Sequence, residues 1–195
     1  RCCGLNRFDF ATTSFSAHRV DPGSDRGHPA TAGCTASGRP TVADVHVVFV
    51  CSGNICRSPM AEKVFAAALE EAGLAEKVRV TSAGTGAWHV GEPMDERAAA
   101  ILAAEGYPTD HVAQQVDAEA LGADLIVALD NGHRRALQQR VPEPERVRLL
   151  RSFEPGQNDG DVPDPYYGGP DGFADVLAMI KAAVPGLLEH VRSQV

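Results

Sequence analysis

The sequence predicts an α/β fold, a doubly wound four-stranded parallel sheet with helices on both faces. Two observations predict it. Short β-branched, apolar runs alternate with segments of helical period along residues 45–195. The runs are apolar nearly throughout rather than alternating, as in parallel strands buried on both faces.

The first strand is Val45-His46-Val47-Val48-Phe49-Val50. It feeds the loop Cys51-Ser52-Gly53-Asn54-Ile55-Cys56-Arg57-Ser58-Pro59. Ser58 is a good N-cap, and Pro59 suits the first helical position, where no N–H is needed. The helix predicted over 59–72 carries Met60, Val64, Phe65 and Leu69 on one face and stops at Gly73. A second strand is predicted at 78–83. A helix over 95–105 starts at Asp95 and ends at Gly106. The third strand is 124–129, a charged helix spans 131–140, and the fourth strand is 147–150. A loop over 154–170 leads to a last helix from Asp171 to about Val191, expected to bend or break at Pro185. Ligands of such sheets bind beyond the carboxyl ends of the strands. Cys51, Ser82 and the loop after Leu150 all fall there.

Residues 1–44 are rich in Ser, Thr, Gly, Ala and Pro and show no apolar period. They are expected to form a disordered extension, because they cannot bury enough surface to offset ordering entropy. They hold no continuous apolar run of the secretory-leader type. Cys2, Cys3 and Cys34 lie in this arm and are not expected to build a disulfide framework with the core. Residues 45–195 suit one domain. No apolar stretch is long enough to predict a membrane span. The net charge of −8 argues against nucleic acid or an acidic membrane surface as partner. Reduced, reactive cysteines point to the cytoplasm. No cluster has metal-ligand spacing, so neither a metal nor another cofactor is expected.

The loop from Cys51 to Pro59 lies between a strand end and a helix start. Backbone N–H groups of such a turn bind anions, helped by the positive end of the helix dipole. Gly53 and Asn54 are the residues best able to take left-handed conformations. Arg57 offers a planar, bidentate clamp for two phosphate oxygens. The same positive field favours the reactive thiolate at Cys51. A Cys-x5-Arg spacing alone is weak, and a strand-end cysteine is commonly an inert buried thiol. The loop lacks the Gly-Lys-Ser/Thr ending of nucleoside triphosphate loops and the dinucleotide glycine pattern. Gly, Asn, Arg, Ser and Pro together, after a strand and before a helix, are far more specific than the spacing.

The stretch Val50 to Pro59 resembles the phosphate-binding loop of the low-molecular-weight protein tyrosine phosphatases. A second motif agrees with it, Val162-Pro163-Asp164-Pro165-Tyr166-Tyr167-Gly168. The similarity covers about Val45 to Arg192 and is nearest the bacterial members. It implies a phosphotyrosine phosphatase with Cys51 as nucleophile, Arg57 as phosphate clamp and Asp164 as general acid. Asp159, Asp161 and Asp171 share the acidic loop, and the resemblance selects Asp164 because it precedes Pro-Tyr-Tyr. Ser52, Gly53, Asn54, Ile55, Cys56 and Ser58 are implied to surround the phosphate. Ser58 is implied to donate towards Cys51.

Tyr166 and Tyr167 are implied to form one wall of an aryl cleft. Trp88, the only tryptophan, is implied to form the other, from the glycine-rich segment Gly84 to His89. His89 reads as a surface histidine that influences substrate choice. Asn54, Ser82 and His111 match positions that hold the loop from beneath. One departure is Gln114, which stands after His111-Val112-Ala113 where the family often has Arg. It is expected to be peripheral. Cys56 reads either as a small apolar filler or as the partner of Cys51 in a protective, reversible disulfide.

The implied partners are phosphotyrosine proteins or small aryl phosphates, and a tyrosine kinase acting on Tyr166 or Tyr167. Three rivals remain. An arsenate reductase of this fold needs further cysteines, and none follows Cys56. A protein arginine phosphatase differs in side-chain size near the loop, and Ser52 and Ile55 leave that choice open, while Trp88 and Tyr166 lean towards tyrosine. A retired phosphopeptide-binding module is disfavoured by the presence of Cys51, Arg57 and Asp164 together.

Overall fold

The structure, a computed structural model, describes residues 43–157, 160–169 and 171–195. The N-terminal arm up to residue 42, with its cysteines, lies outside the described residues, as does Asp159. Four strands form one sheet: β1 (Val45–Cys51), β2 (Val78–Gly84), β3 (Leu125–Ala128) and β4 (Val147–Leu149). Their order is β2-β1-β3-β4, and every pairing is parallel. Five helices accompany it among the described residues: α1 (Arg57–Glu71), α2 (Glu96–Ala104), α3 (Ala118–Leu121), α4 (Asn131–Gln138) and α5 (Gly172–Arg192). The predicted fold class is the one observed. No described helix is long and apolar enough to cross a membrane.

Strand periodicity divides the core in two. Val45, Val47, Phe49 and Cys51 of β1 join one apolar cluster with residues of α1, α2 and α5. Val48 and Val50 join a second cluster with Ala120 of α3 and Leu137 of α4. The central strand is therefore apolar on both sides, which explains its unbroken run of Val and Phe. The chain leaves β1 for β2 on one side and later returns to β3 on the other. That reversal opens a crevice at the carboxyl end of β1, and Cys51 is the last residue of that strand.

Several boundaries differ from expectation. Helix α1 begins at Arg57, two residues early, with Cys56 at the N-cap and no side-chain cap bond. Ser58 lies inside the first turn, its hydroxyl engaged with the loop instead. Pro59 is still tolerated there, because the first four N–H groups of a helix have no intrahelical partner. The short helix α3 was not predicted, and Leu150 opens a 3-10 turn rather than ending β4. Helix α5 runs through Pro185 without interruption. It buries Phe173, Val176, Leu177 and Ile180 before the proline and Leu187 and Val191 after it. That burial outweighs the roughly 3 kcal/mol cost of an interior proline. Gly186 helps, since a Cβ there would fall 2.1 Å from the Phe153 carbonyl oxygen.

Candidate active site

The loop after β1 is shaped by contacts with the end of β2. Thr85 N and Gly86 N donate to the carbonyls of Cys51 and Ser52, at 2.8 and 2.9 Å. Gly84 must lack a side chain, since a Cβ would lie 2.7 Å from the Ser52 carbonyl oxygen. Asn54 takes the left-handed conformation, φ 58°, as the only non-glycine with positive φ among the described residues. Gly53 does not take it; a Cβ at Gly53 would instead meet the His89 ring at 2.8 Å.

Asn54 is fully buried and satisfied on every side. Its Nδ2 donates to Ser58 Oγ and Ser82 Oγ, both at 2.9 Å. Its Oδ1 accepts from Gln114 N at 2.8 Å, and its carbonyl accepts from His111 Nε2 at 2.7 Å. Ser82 Oγ in turn donates to Glu62 Oε2 at 2.5 Å. These bonds hold a strained backbone position that isolated sequence would not favour. Gln114 is not peripheral: besides its backbone bond to Asn54, its Nε2 donates to the Ser82 carbonyl at 2.8 Å. Burial pushes the His111 imidazole below its ordinary value, with the bond to Asn54 opposing. The neutral ring, with its proton on Nε2, fits that bond.

Cys51 is buried at the cavity floor. Ser58 Oγ lies 3.0 Å from its sulfur, and Asn54 N donates to the sulfur at 3.3 Å. Asn54 Nδ2 already donates to Ser58 Oγ, so the single hydroxyl proton of Ser58 has two acceptors, the Cys51 sulfur at 3.0 Å and the Ala83 carbonyl at 3.4 Å. A thiolate there accepts from Asn54 N and, when the Ser58 hydroxyl turns to it, from Ser58 as well.

Arg57 is 4 % exposed and converges four contacts. Its Nη1 donates to Asp130 Oδ2 at 3.0 Å and to the Val162 carbonyl at 3.1 Å. Its Nη2 donates to Asp164 Oδ2 at 2.9 Å and reaches Ser52 Oγ at 3.4 Å. Asp164 Oδ1 accepts from Tyr166 N at 3.1 Å, which fixes the carboxylate above the clamp. Of the other loop acids, Asp161 Oδ1 instead accepts from Asn131 N and Nδ2. Asp171 stands at the start of α5 and makes no side-chain cap bond.

A cavity of about 440 Å³ opens over this floor. Cys51, Ser52, Gly53, Ile55, Cys56 and Arg57 line it from below, and Asp164 from the side. Trp88, His89, Tyr166 and Tyr167 complete the lining. Trp88 is 73 % exposed, with its ring against Gly86, where a Cβ would clash at 2.0 Å. The Tyr166 carbonyl accepts from Arg97 Nη1 at 3.2 Å, and the Arg97 guanidinium lies 5.4 Å from the Tyr166 ring centroid. Asp95 anchors that guanidinium through both carboxylate oxygens. Burial pushes the Cys56 thiol up to about 12, with Asp95 and Cys51 adding to it. Both thiols are free.

The residues named from sequence thus fall in two layers. Eleven of them, His89 included, line the cavity, and Asn54, Ser58, Ser82 and His111 form the hydrogen-bonded support of the loop. Asp130 and His133 were not foreseen. Asp130 lies just past the carboxyl end of β3, the strand beside β1, and that position was a usable signal. His133 had no such signal, being one polar residue in a charged helix. It is buried, with Nε2 2.9 Å from Ser52 Oγ and Nδ1 3.0 Å from Asp130 Oδ2.

Known proteins share this architecture. Residues 46–195 match the family model described as low molecular weight phosphotyrosine protein phosphatase. The chain is 60 % identical over 149 residues to low molecular weight protein-tyrosine phosphatase A of Mycobacterium tuberculosis, covering 75 % of this chain and 91 % of that protein. A crystal structure of a protein tyrosine phosphatase from Entamoeba histolytica, with Hepes in its active site, superposes with a TM-score of 0.73 at 34 % identity. It covers 76 % of this chain and 97 % of its own. The YwlE arginine phosphatase of Geobacillus stearothermophilus superposes with a TM-score of 0.66 at 29 % identity, covering 76 % and 94 %. The match along the whole described domain, on a sheet whose crevice holds the loop from Cys51 to Ser58, shows that the chain belongs to the low molecular weight phosphotyrosine protein phosphatase family.

Proposed function

We propose that the protein hydrolyses phosphotyrosine, in proteins or as small aryl phosphates, through a phosphocysteine intermediate. The reading rests on one observation above all: Cys51, Arg57 and Asp164 meet at a single cavity of aryl-phosphate size. In the first step the Cys51 thiolate attacks phosphorus. The S–P bond forms, the P–O bond to the aryl group breaks, and Asp164 gives its proton to the departing oxygen. In the second step the Asp164 carboxylate takes a proton from water. The water oxygen attacks phosphorus, the S–P bond breaks, and inorganic phosphate and the thiolate are released.

Charge on the transferring oxygens is met by Arg57 and the loop amides, so the mechanism needs no metal. Arg57 Nη2 would exchange Asp164 for a phosphoryl oxygen, leaving the acid to face the leaving group. Ser58 and Asn54 would stabilise Cys51 as leaving group in the second step. A reversible Cys51–Cys56 disulfide would guard the nucleophile against irreversible oxidation. Tyr167, 91 % exposed, is the more accessible of the two tyrosines for a kinase. Such an enzyme would work in the cytoplasm.

The likeness to an arginine phosphatase supports a second reading on the same floor. The aromatic walls of Trp88 and Tyr166 favour a flat ring over a guanidino group. The test is hydrolysis of phosphotyrosine, phosphoserine and phosphoarginine peptides by reduced protein with a chelator present. Preference for phosphotyrosine is expected. Turnover of phosphoarginine alone would replace the substrate, and no turnover of any would overturn the reading.

A further inference from the structure

His133 is a buried histidine that the proposed chemistry does not use, yet it touches both neighbours of the phosphate clamp. Its Nε2 lies 2.9 Å from Ser52 Oγ. Its backbone N donates to Asp130 Oδ1 at 2.8 Å, and its Nδ1 lies 3.0 Å from Asp130 Oδ2, out of line for a hydrogen bond. Ser52 Oγ and Asp130 Oδ2 are also the two atoms between which the Arg57 guanidinium is stretched, at 3.4 and 3.0 Å. The imidazole therefore braces from behind the pair of acceptors that Arg57 uses from the front.

The protons can be ordered. Ser52 Oγ accepts from Arg57 Nη2, so its own proton is available for His133 Nε2. The imidazole proton then sits on Nδ1, beside the Asp130 carboxylate. Asp130 Oδ2 is shared between Nη1 of Arg57 and Nδ1 of His133. The Nδ1 proton of the neutral ring is out of line with that oxygen, which therefore takes its hydrogen bond from the guanidinium. Protonation would add its proton at Nε2, end acceptance from the Ser52 hydroxyl and put a second cation beside Arg57.

We propose that His133 is a positioning residue for the phosphate clamp: through Ser52 and Asp130 it sets the orientation of Arg57. The inference rests on the phosphatase reading above. Burial pushes the His133 imidazole below its ordinary value, with Arg57 acting the same way and Asp130, Asp164 and Asp161 opposing. The brace is thus neutral above about pH 6.5 and loosens on acidification.

The test compares His133→Ala, His133→Gln and Ser52→Ala with the parent protein. Each is assayed for aryl phosphate hydrolysis across pH and for Cys51 alkylation by iodoacetate and by iodoacetamide. Iodoacetate carries a carboxylate that Arg57 can bind, whereas iodoacetamide is neutral, so the ratio of the two rates reads the clamp apart from the thiol. His133→Ala should lower kcat/KM about tenfold to hundredfold, the scale of a misplaced catalytic group, and lower the iodoacetate to iodoacetamide ratio with it. His133→Gln should restore part of both and lose the component of the acid limb that belongs to His133. Ser52→Ala should lower the ratio, and adding His133→Gln to it should cost less than His133→Gln alone.

An unchanged ratio and an unchanged pH profile in His133→Gln would overturn the proposal, even with activity reduced. If His133→Ala does not fold, the glutamine and Ser52 variants decide. Failure of the parent to hydrolyse any phosphate would sink the phosphatase reading instead, while the alkylation ratio would still report whether His133 orients Arg57.

Discussion

Arg57 Nη2 donates to Asp164 Oδ2 across 2.9 Å, although 107 residues separate them in the chain. Arg57 and Asp164 therefore hold each other. Under the proposed mechanism, a phosphoryl group that recruits the guanidinium would also free the carboxyl. Asp164→Asn keeps a side chain of the same shape but has no proton to give. It should slow hydrolysis of phosphates with poor leaving groups by about 10²–10⁴-fold and good ones far less. A leaving-group series measures this, and equal slowing across the series would argue against an acid role.

Cys51→Ser replaces the sulfur with an oxygen that stays protonated near neutral pH. Turnover should vanish, while inorganic phosphate still binds, because Arg57 and the loop amides are intact. Calorimetric titration with phosphate checks the second half. Residual steady-state activity above background would remove Cys51 from its role.

Cys56 should behave unlike Cys51. Its thiol is pushed up to about 12 by burial, so little thiolate exists at neutral pH. Iodoacetamide at about pH 7.5, followed by peptide mass spectrometry, should label Cys51 and leave Cys56 unmodified. Peroxide inactivation should be reversed by thiols in the parent and not in Cys56→Ser. Equal reversibility in both would discard the disulfide guard.

Asn54 carries the strained turn of the loop. Asn54→Ala removes the side-chain bonds to Ser58, Ser82 and Gln114 while leaving a left-handed residue in place. A loss of about 2–4 kcal/mol is expected from the unpaired buried groups and the backbone strain. Asn54→Gly relieves the strain alone and should recover part of that. Denaturant titration of the two variants checks the order, and a more stable alanine variant would contradict it.

Stability should fall on mild acidification. Burial lowers His46, His111, His133 and His190 below the ordinary value of 6.5. Below pH 6.5 the unfolded chain binds protons at these sites before the folded chain does. Stability therefore rises with pH through this window, and the loss on acidification begins at the unfolded value and grows until the folded values are reached. The melting temperature should drop between about pH 7 and 5, and His111→Gln should flatten the slope. Asp95, held below its ordinary 3.8 by Arg97, acts in the same direction at lower pH, where protonation removes its contribution. A melting temperature flat from pH 7 to 5.5 would be incompatible with these shifts.

The sheet and the loop were legible in the chain because they follow local rules, whereas Asp164, Trp88, Tyr166 and Tyr167 were reached through the family resemblance. An unbroken Val and Phe run must be buried on both faces, and a Gly-Asn turn between strand and helix has few conformations to choose from. Helix α5 passing through Pro185 was not legible. Its apolar partners come from distant segments, and their combined burial overrides a local penalty. The true start of α1 was hidden for a related reason: Ser58 has a better partner in Cys51 and Asn54 than in a cap, and only the fold brings those partners near.

By itself the sequence determined the α/β class and the strand-to-helix loop that carries Cys51 and Arg57, since both share one short turn. The tertiary structure decided which distant groups complete them. It brought Asp164 rather than Asp161 to Arg57, made Gln114 a support of Asn54, and set Asp130 and His133 behind the guanidinium. Those choices depend on where long connections return to the sheet, and the direction of a returning loop is fixed by packing across the whole core rather than by the residues that precede it.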